Sequence, residues 1–142
     1  MDPFTQGLLG ASFAGSFAKK DKLKLASICG AIGGMAPDLD SLIRSPDDSL
    51  LSIEYHRHFT HSIFFVPLGG LITSILLYIF LKNKLSFKHI YLFTTIGFFT
   101  HGILDSCTSY GTRLFFPFSD SRVSWNIISI IDPIYTTILF VF

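Results

Sequence analysis

Residues 54–62, "EYHRHFTHS", crowd three histidines and an arginine into nine positions, and residues 63–81, "IFFVPLGGLITSILLYIFL", follow as an almost unbroken apolar run. Crossing the bilayer core takes roughly 20 mostly apolar residues. Phe59 to Leu81 therefore reads as a membrane helix, interrupted near its start by His61 and kinked or loosened by Pro67 and the Gly69-Gly70 pair. A proton-active, metal-avid cluster stands at the lip of a span, and the rest of the chain has to explain why.

Outward from this stretch, the segment from Ile90 to about Cys107 is a second span that carries His101 and Asp105 near its end. Two shorter segments, "GLLGASFAGSFA" (7–18) and "LASICGAIGGMA" (25–36, closed by Pro37), are rich in small residues and suit close helix packing better than contact with lipid. A last helix is expected from Asn126 through "NIISIIDPIYTTILFVF" to the end of the sequence, which stops inside that apolar segment as a shortened form of a longer protein would. The composition agrees with a membrane protein: of 142 residues, 49% are hydrophobic and only 15% charged, with a mean hydropathy of +0.52. No linker or change of composition divides residues 1–142, so one domain is expected. The expected fold is an all-α polytopic bundle of about five helices.

Charge placement orients it. "KKDKLK" (19–24) joins the first two helices and "KNKLSFK" (82–88) the third and fourth, so both loops fall on one side, which the positive-inside rule assigns to the cytoplasm. The N-terminus and the loops 38–58 and 108–125 then share the extracytoplasmic face. A net charge of +1 provides no general attraction for nucleic acid. The Met-Asp-Pro start lacks the positive region of a cleavable signal peptide, and Cys29 and Cys107 have no metal-type spacing and read as small buried residues.

The chemistry-bearing residues gather on that outer face. "APDLD" places Asp38 and Asp40 just past the second helix, two residues apart, so that both carboxylates reach one region. "HRHFTHS" offers His56, His58 and His61. In "HGILD", His101 and Asp105 are four residues apart and project from one side of a helix. Asp132, in "IIDPIYT", repeats the pattern about two turns into the last helix. An aspartate near a helix end also serves as a cap, a boundary histidine can be merely interfacial, and a His-Asp pair can simply tie helices together. Ionisable residues within spans, however, cost about 2.5–3.5 kcal/mol each on insertion scales and persist where they have partners. Imidazole with carboxylate and no thiolate cluster suits zinc, or manganese in its place. One such ion lowers the pKa of its water to about 7, and a pair clamps an in-line phosphoryl displacement.

The ordered blocks "MDPFTQGLLGA", "PDLD", "YHRHFTHS", "HGILDSCTSYGTRLFFPFSD" and "IIDPIYT" resemble those of the YdjM-like family of inner-membrane proteins, read as metal-dependent hydrolases, over nearly the whole chain. More remotely, that family is similar to the zinc-dependent phospholipase C and single-strand nuclease superfamily. Position by position, the resemblance implies Asp38, Asp40, His56, His61, His101 and Asp105 as ligands of one or two ions. Gln6 departs from the pattern, standing where some members have His.

Groups suited to an anionic substrate surround this set: Arg57 among the histidines, Arg113 and Arg122 on the outer loop, and the hydroxyls of Thr108, Ser109, Tyr110 and Thr112 beside Gly111. Headgroup-level snorkelling serves Arg122 equally well. The leading expectation is a hydrolase in the inner membrane that acts from the extracytoplasmic side on a lipid or other phosphoester, by metal-activated water. His58 or a ligating carboxylate would accept the proton, and Arg57 would face the developing charge. A metal or proton transporter and a non-catalytic protein with a structural metal are the alternatives. Nothing in the sequence speaks to oligomeric state.

Overall fold

The computed structural model describes residues 1–42 and 57–141, and among these the chain forms five α-helices: α1 (Pro3–Ser16), α2 (Leu23–Met35), α3 (Val66–Leu81), α4 (Phe87–Ser106) and α5 (Pro133–Val141). Shorter 3₁₀ segments, Ala36–Leu42, Phe59–His61 and Ile63–Phe65, extend α2 and lead into α3. The described residues contain no strand, only a single antiparallel bridge between Thr112 and Val123.

Local chemistry accounts for the boundaries. Asp2 caps α1 by accepting from the Thr5 amide at 2.9 Å, with Pro3 pre-set in the first turn. Pro67 also falls in the first turn of its helix, so it opens α3 where the sequence led us to expect a kink. Ser62 accepts from the Phe64 amide at 3.2 Å and turns the chain from the histidine stretch into the apolar run. The last helix begins at Pro133 rather than near Asn126. Asp132 Oδ1 accepts from the amides of Ile134 and Tyr135 at 3.1 and 3.0 Å, so this carboxylate caps α5 and does not lie two turns inside it.

The packing is that of a helix bundle in which small residues face inward. α2 packs against α1 and α4, and α3 packs on α4 beside the end of α2. Gly10, Ala14, Ala26, Gly30, Gly33, Gly34 and Gly97 are buried, while Phe13, Ile28, Ile32, Leu92 and Phe99 on the same helices are exposed. Small residues at the contact and large apolar ones outside is the arrangement of helices that associate in lipid, where backbone proximity replaces the hydrophobic drive. Gly97 shows how tight the contact is: a Cβ there would run into the Gly30 carbonyl.

One helical stretch among the described residues, Ile63–Leu81, is long and apolar enough to cross a membrane, with 19 residues at mean hydropathy 2.3. α4 has 20 residues but carries Lys88, His89, His101 and Asp105, whereas α1, α2 and α5, at 14, 13 and 9 residues, fall short of a full span. α2 and α4 run parallel. At their starts Lys22 Nζ lies 3.2 Å from His89 Nε2, which brings the two lysine-bearing loops to one end of the bundle. At the other end His101 Nδ1 lies 2.5 Å from the Gly34 carbonyl oxygen.

Candidate metal centre

At the end of the bundle opposite the lysines, α4 presents His101 and Asp105 one turn apart, and two flanking segments close over them. The 3₁₀ turn after α2 supplies Asp38, and the turn before α3 supplies His61. Gly102 lets the second segment settle on α4, because any Cβ there would strike the His61 carbonyl. One potential ligand atom from each of Asp38, His61, His101 and Asp105 lies within 4.8 Å of all the others.

Hydrogen bonding fixes what these atoms are. His101 Nδ1 faces the Gly34 carbonyl, which only accepts, so the neutral ring carries its proton there and turns the Nε2 lone pair inward. His61 Nδ1 is 3.3 Å from Asp40 Oδ2 and 3.0 Å from Thr60 Oγ1, whose own proton goes to Asp40 at 2.6 Å. Its Nε2 therefore also faces inward, and the two Nε2 atoms stand 2.8 Å apart; burial opposes charge on this ring, but Asp105, Asp38 and Asp40 outweigh it and push its pKa up to about 10, so without an ion the ring holds a second proton. Two acceptors at that distance need a cation or a shared proton between them.

The surrounding distances suit a cation. His61 Nε2 lies 3.2 Å from Asp105 Oδ2 and 3.7 Å from Asp38 Oδ1; His101 Nε2 lies 3.6 and 3.4 Å from the same two oxygens. Ligands about 2.0–2.1 Å from a tetrahedral zinc ion are ~3.3 Å from one another, and the observed separations bracket that edge length. Asp105 Oδ2 is buried without a hydrogen-bond donor, as a metal-facing oxygen would be. Three carboxylates, those of Asp38, Asp40 and Asp105, meet two fixed cations, Arg57 and the buried N-terminal ammonium, and the remaining negative charge is met by a proton on His61, which a metal ion would displace. Burial works against an ionised Asp38, but the His101 and His61 rings, as donors when no ion takes the proton's place, outweigh it and keep that carboxyl below the usual carboxylate range.

Second contacts hold the set in place, as they do at metal sites generally. Asp105 Oδ1 receives the Met1 ammonium and, at 2.9 Å, the Gln6 amide. Arg57 Nε is 3.1 Å from Asp105 Oδ2, too poorly aligned for a hydrogen bond, and its Nη1 donates to Thr108 Oγ1 at 3.2 Å. The Tyr110 ring lies against the guanidinium at 5.0 Å. The Arg57 backbone has φ 59°, a left-handed conformation costing about 1–3 kcal/mol in a residue other than glycine. Its amide donates to Asp40 at 3.1 Å and its carbonyl accepts from Arg113 at 3.4 Å.

Of the ligands expected from the sequence, Asp38, His61, His101 and Asp105 come together. Asp40 lies on the far side of the His61 ring, where it orients the imidazole. Asp132 is spent on capping α5. His56 lies outside the described residues. His58 packs its ring on Phe116, centroids 4.5 Å apart. Thr108 and Thr112, expected at a substrate, are fully buried: Thr108 positions Arg57 and donates to the Asp105 carbonyl at 2.8 Å, and Thr112 pairs with Val123. Arg113 reaches Asp120 at 3.4 Å, and Arg57 is 5% exposed, turned toward Asp105. The sequence reading missed Thr60 and the Met1 amine, and took Gln6 only as a departure from a pattern. A lone amide in an otherwise small and apolar helix was the available signal for Gln6.

Comparison with known proteins places the chain in a membrane protein family. The family described as YdjM inner membrane protein matches residues 1–142. YfhP of Bacillus subtilis (strain 168), described as an uncharacterized protein, is 34% identical over 101 residues, which is 71% of this chain and 30% of YfhP; the chain thus spans about a third of that relative's length. No solved structure matches.

Proposed function

The chain belongs to the YdjM family of inner membrane proteins, and from that premise we propose that it is a membrane-embedded, metal-dependent hydrolase of phosphoesters, with its site at the extracytoplasmic ends of the helices. The observation that carries this reading is the convergence of four acceptor atoms, from Asp38, His61, His101 and Asp105, at the end of the bundle remote from the lysine loops. The positive-inside rule then puts the site outside. Large apolar side chains exposed on α1, α2 and α4 support a polytopic arrangement in which the shorter helices pack around the α3 span.

A divalent ion at such a site supplies a more acidic water and offsets charge on a phosphoryl oxygen. The chain's own residues do the rest. Asp105, fixed by Gln6, Arg57 and the Met1 ammonium, gives the site a rigid anionic wall. The Asp40-Thr60 pair holds the His61 tautomer. The Asp38 side chain, 17% exposed where the other three are fully buried, marks the side open to substrate and to the proton released.

A second reading rests on the number of protein ligands. Four of them fill a tetrahedral ion, the habit of structural zinc sites, and an ion so held would staple α4 to the segments before α3 and after α2. Turnover separates the two readings. Purified protein in detergent should hydrolyse bis(p-nitrophenyl) phosphate slowly, with stimulation by zinc or manganese, loss on chelation, and a fall of orders of magnitude in His61→Ala. Tight metal binding with no turnover across a broad panel of phosphoesters and esters would leave the staple.

A further inference from the structure

Beside the centre, a cavity of about 520 Å³ lies between the end of α2 and α3, the size of an ordinary small-ligand site. Ile32 and Met35 form one wall, Ile72, Leu76 and Phe80 the other, and Phe98 of α4 the floor. The lining positions on α3 recur every three or four residues from Gly69 to Phe80, one face followed for three turns, or ~16 Å at 1.5 Å per residue. A Cβ on Gly69 would strike the Phe98 ring, so glycine keeps the helix down on the floor. The walls stand open to the surroundings: Met35, Ile72, Leu76 and Phe80 are all exposed.

Polarity along the groove is one-sided. Its lining is apolar for most of its length, and its foot carries Asp40 and Thr60, hydrogen-bonded to each other at 2.6 Å. Thr60 Oγ1 lies 3.0 Å from His61 Nδ1, so the foot is one imidazole ring away from the acceptor cluster. The groove runs along Ile63–Leu81, the stretch apolar and long enough to span a membrane. It therefore opens at the depth of lipid tails and ends where headgroups begin.

We propose that this groove takes one acyl chain of a membrane phospholipid and brings the lipid's phosphoester to the centre. The binding half of this stands on the groove itself; the presentation half rests on the hydrolase reading above. An acyl chain is matched by the apolar length, and its ester end by the polar foot next to the cluster.

The test uses the full chain in nanodiscs containing a phospholipid with a mid-chain diazirine, photolysed and mapped by mass spectrometry. Labelling should concentrate on the groove faces of α2 and α3. Leu76→Trp, a change at an exposed wall position, should reduce that labelling about tenfold, since a bulky ring displaces several methylenes. Leu92→Trp, exposed on α4 outside the groove, should leave it unchanged. Labelling spread equally over α1, α3 and α5, or groove labelling indifferent to Leu76→Trp, would mean annular lipid only and overturn the proposal. So would efficient Leu76→Cys disulfide dimers without groove labelling, which would make a second copy of the chain the occupant. Turnover in the same variants tests the presentation half: Leu76→Trp should lower phospholipid hydrolysis in step with the labelling, whereas Leu92→Trp should leave hydrolysis of both phospholipid and bis(p-nitrophenyl) phosphate unchanged. If neither ester is hydrolysed by wild type, the hydrolase reading falls while the labelling still decides the groove.

Discussion

Asp40→Asn separates an orienting residue from a ligand. Among the described residues Asp40 Oδ2 faces Thr60 Oγ1 at 2.6 Å, the Arg57 amide at 3.1 Å and His61 Nδ1 at 3.3 Å, on the side of the imidazole away from the cluster. Asparagine is nearly isosteric, but it brings no charge and has one carbonyl oxygen in place of two equivalent acceptors. The hydrogen bond that fixes the His61 tautomer weakens, and Nε2 becomes a less basic ligand. Losing an orienting partner of this kind typically costs 10- to 100-fold in metal affinity, about 1.4–2.7 kcal/mol. Zinc affinity is read by competition with a chromophoric chelator on detergent-purified protein, with a thermal melt on the same sample as the control for folding. Asp40→Asn should still bind one ion, one to two decades more weakly, whereas His61→Ala should not bind measurably. Unchanged affinity would refute the orienting role. Metal loss as complete as in His61→Ala, in folded protein, would make Asp40 a ligand and the assignment of Asp38 wrong.

Two further outcomes follow from the placement of other residues. His58→Ala should leave metal content unchanged, because the ring is packed on Phe116; a loss of metal measured by plasma mass spectrometry would bring His58 into the centre. With Cys29 and Cys107 replaced, a membrane-impermeant maleimide added to intact cells should label Asp120→Cys and spare Lys20→Cys and Lys84→Cys. Labelling of Lys84→Cys and Asp120→Cys from the same side would break the proposed orientation.

The helices themselves were largely legible in the sequence, because apolar runs broken by Lys-rich and Pro-containing stretches mark both length and ends. Convergence of the "PDLD", "HRHFTHS" and "HGILD" blocks was legible as well, since it follows from helix count and the parallel course of α2 and α4. What failed was finer than topology. Asp38 and Asp40 were expected to reach one region, and both face His61; but on a 3₁₀ turn, with three residues per turn, residues two apart diverge by about 120°, so Asp38 approaches Nε2 and Asp40 approaches Nδ1. Asp132 was misplaced because an apolar run was allowed to override an Asp-Pro pair, the usual mark of a helix start. Arg57 read as a substrate clamp from its neighbours in sequence, yet its left-handed backbone, which no local pattern announced, turns it toward Asp105. Gly34 contributes to the centre through a carbonyl, which no side-chain pattern can reveal.

The central claim is that Asp38, His61, His101 and Asp105 together bind one divalent ion. The direct measurement is metal content per chain, by plasma mass spectrometry on protein purified without added chelator, paired with X-ray absorption at the edge of the metal found. The account predicts about one zinc or manganese ion per wild-type chain, with a first shell of nitrogen and oxygen only, at about 2.0–2.2 Å for zinc, and none in a folded His61→Ala/His101→Ala variant. A wild-type chain that stays metal-free after incubation with zinc and manganese, or a double variant that keeps full stoichiometry, would contradict it.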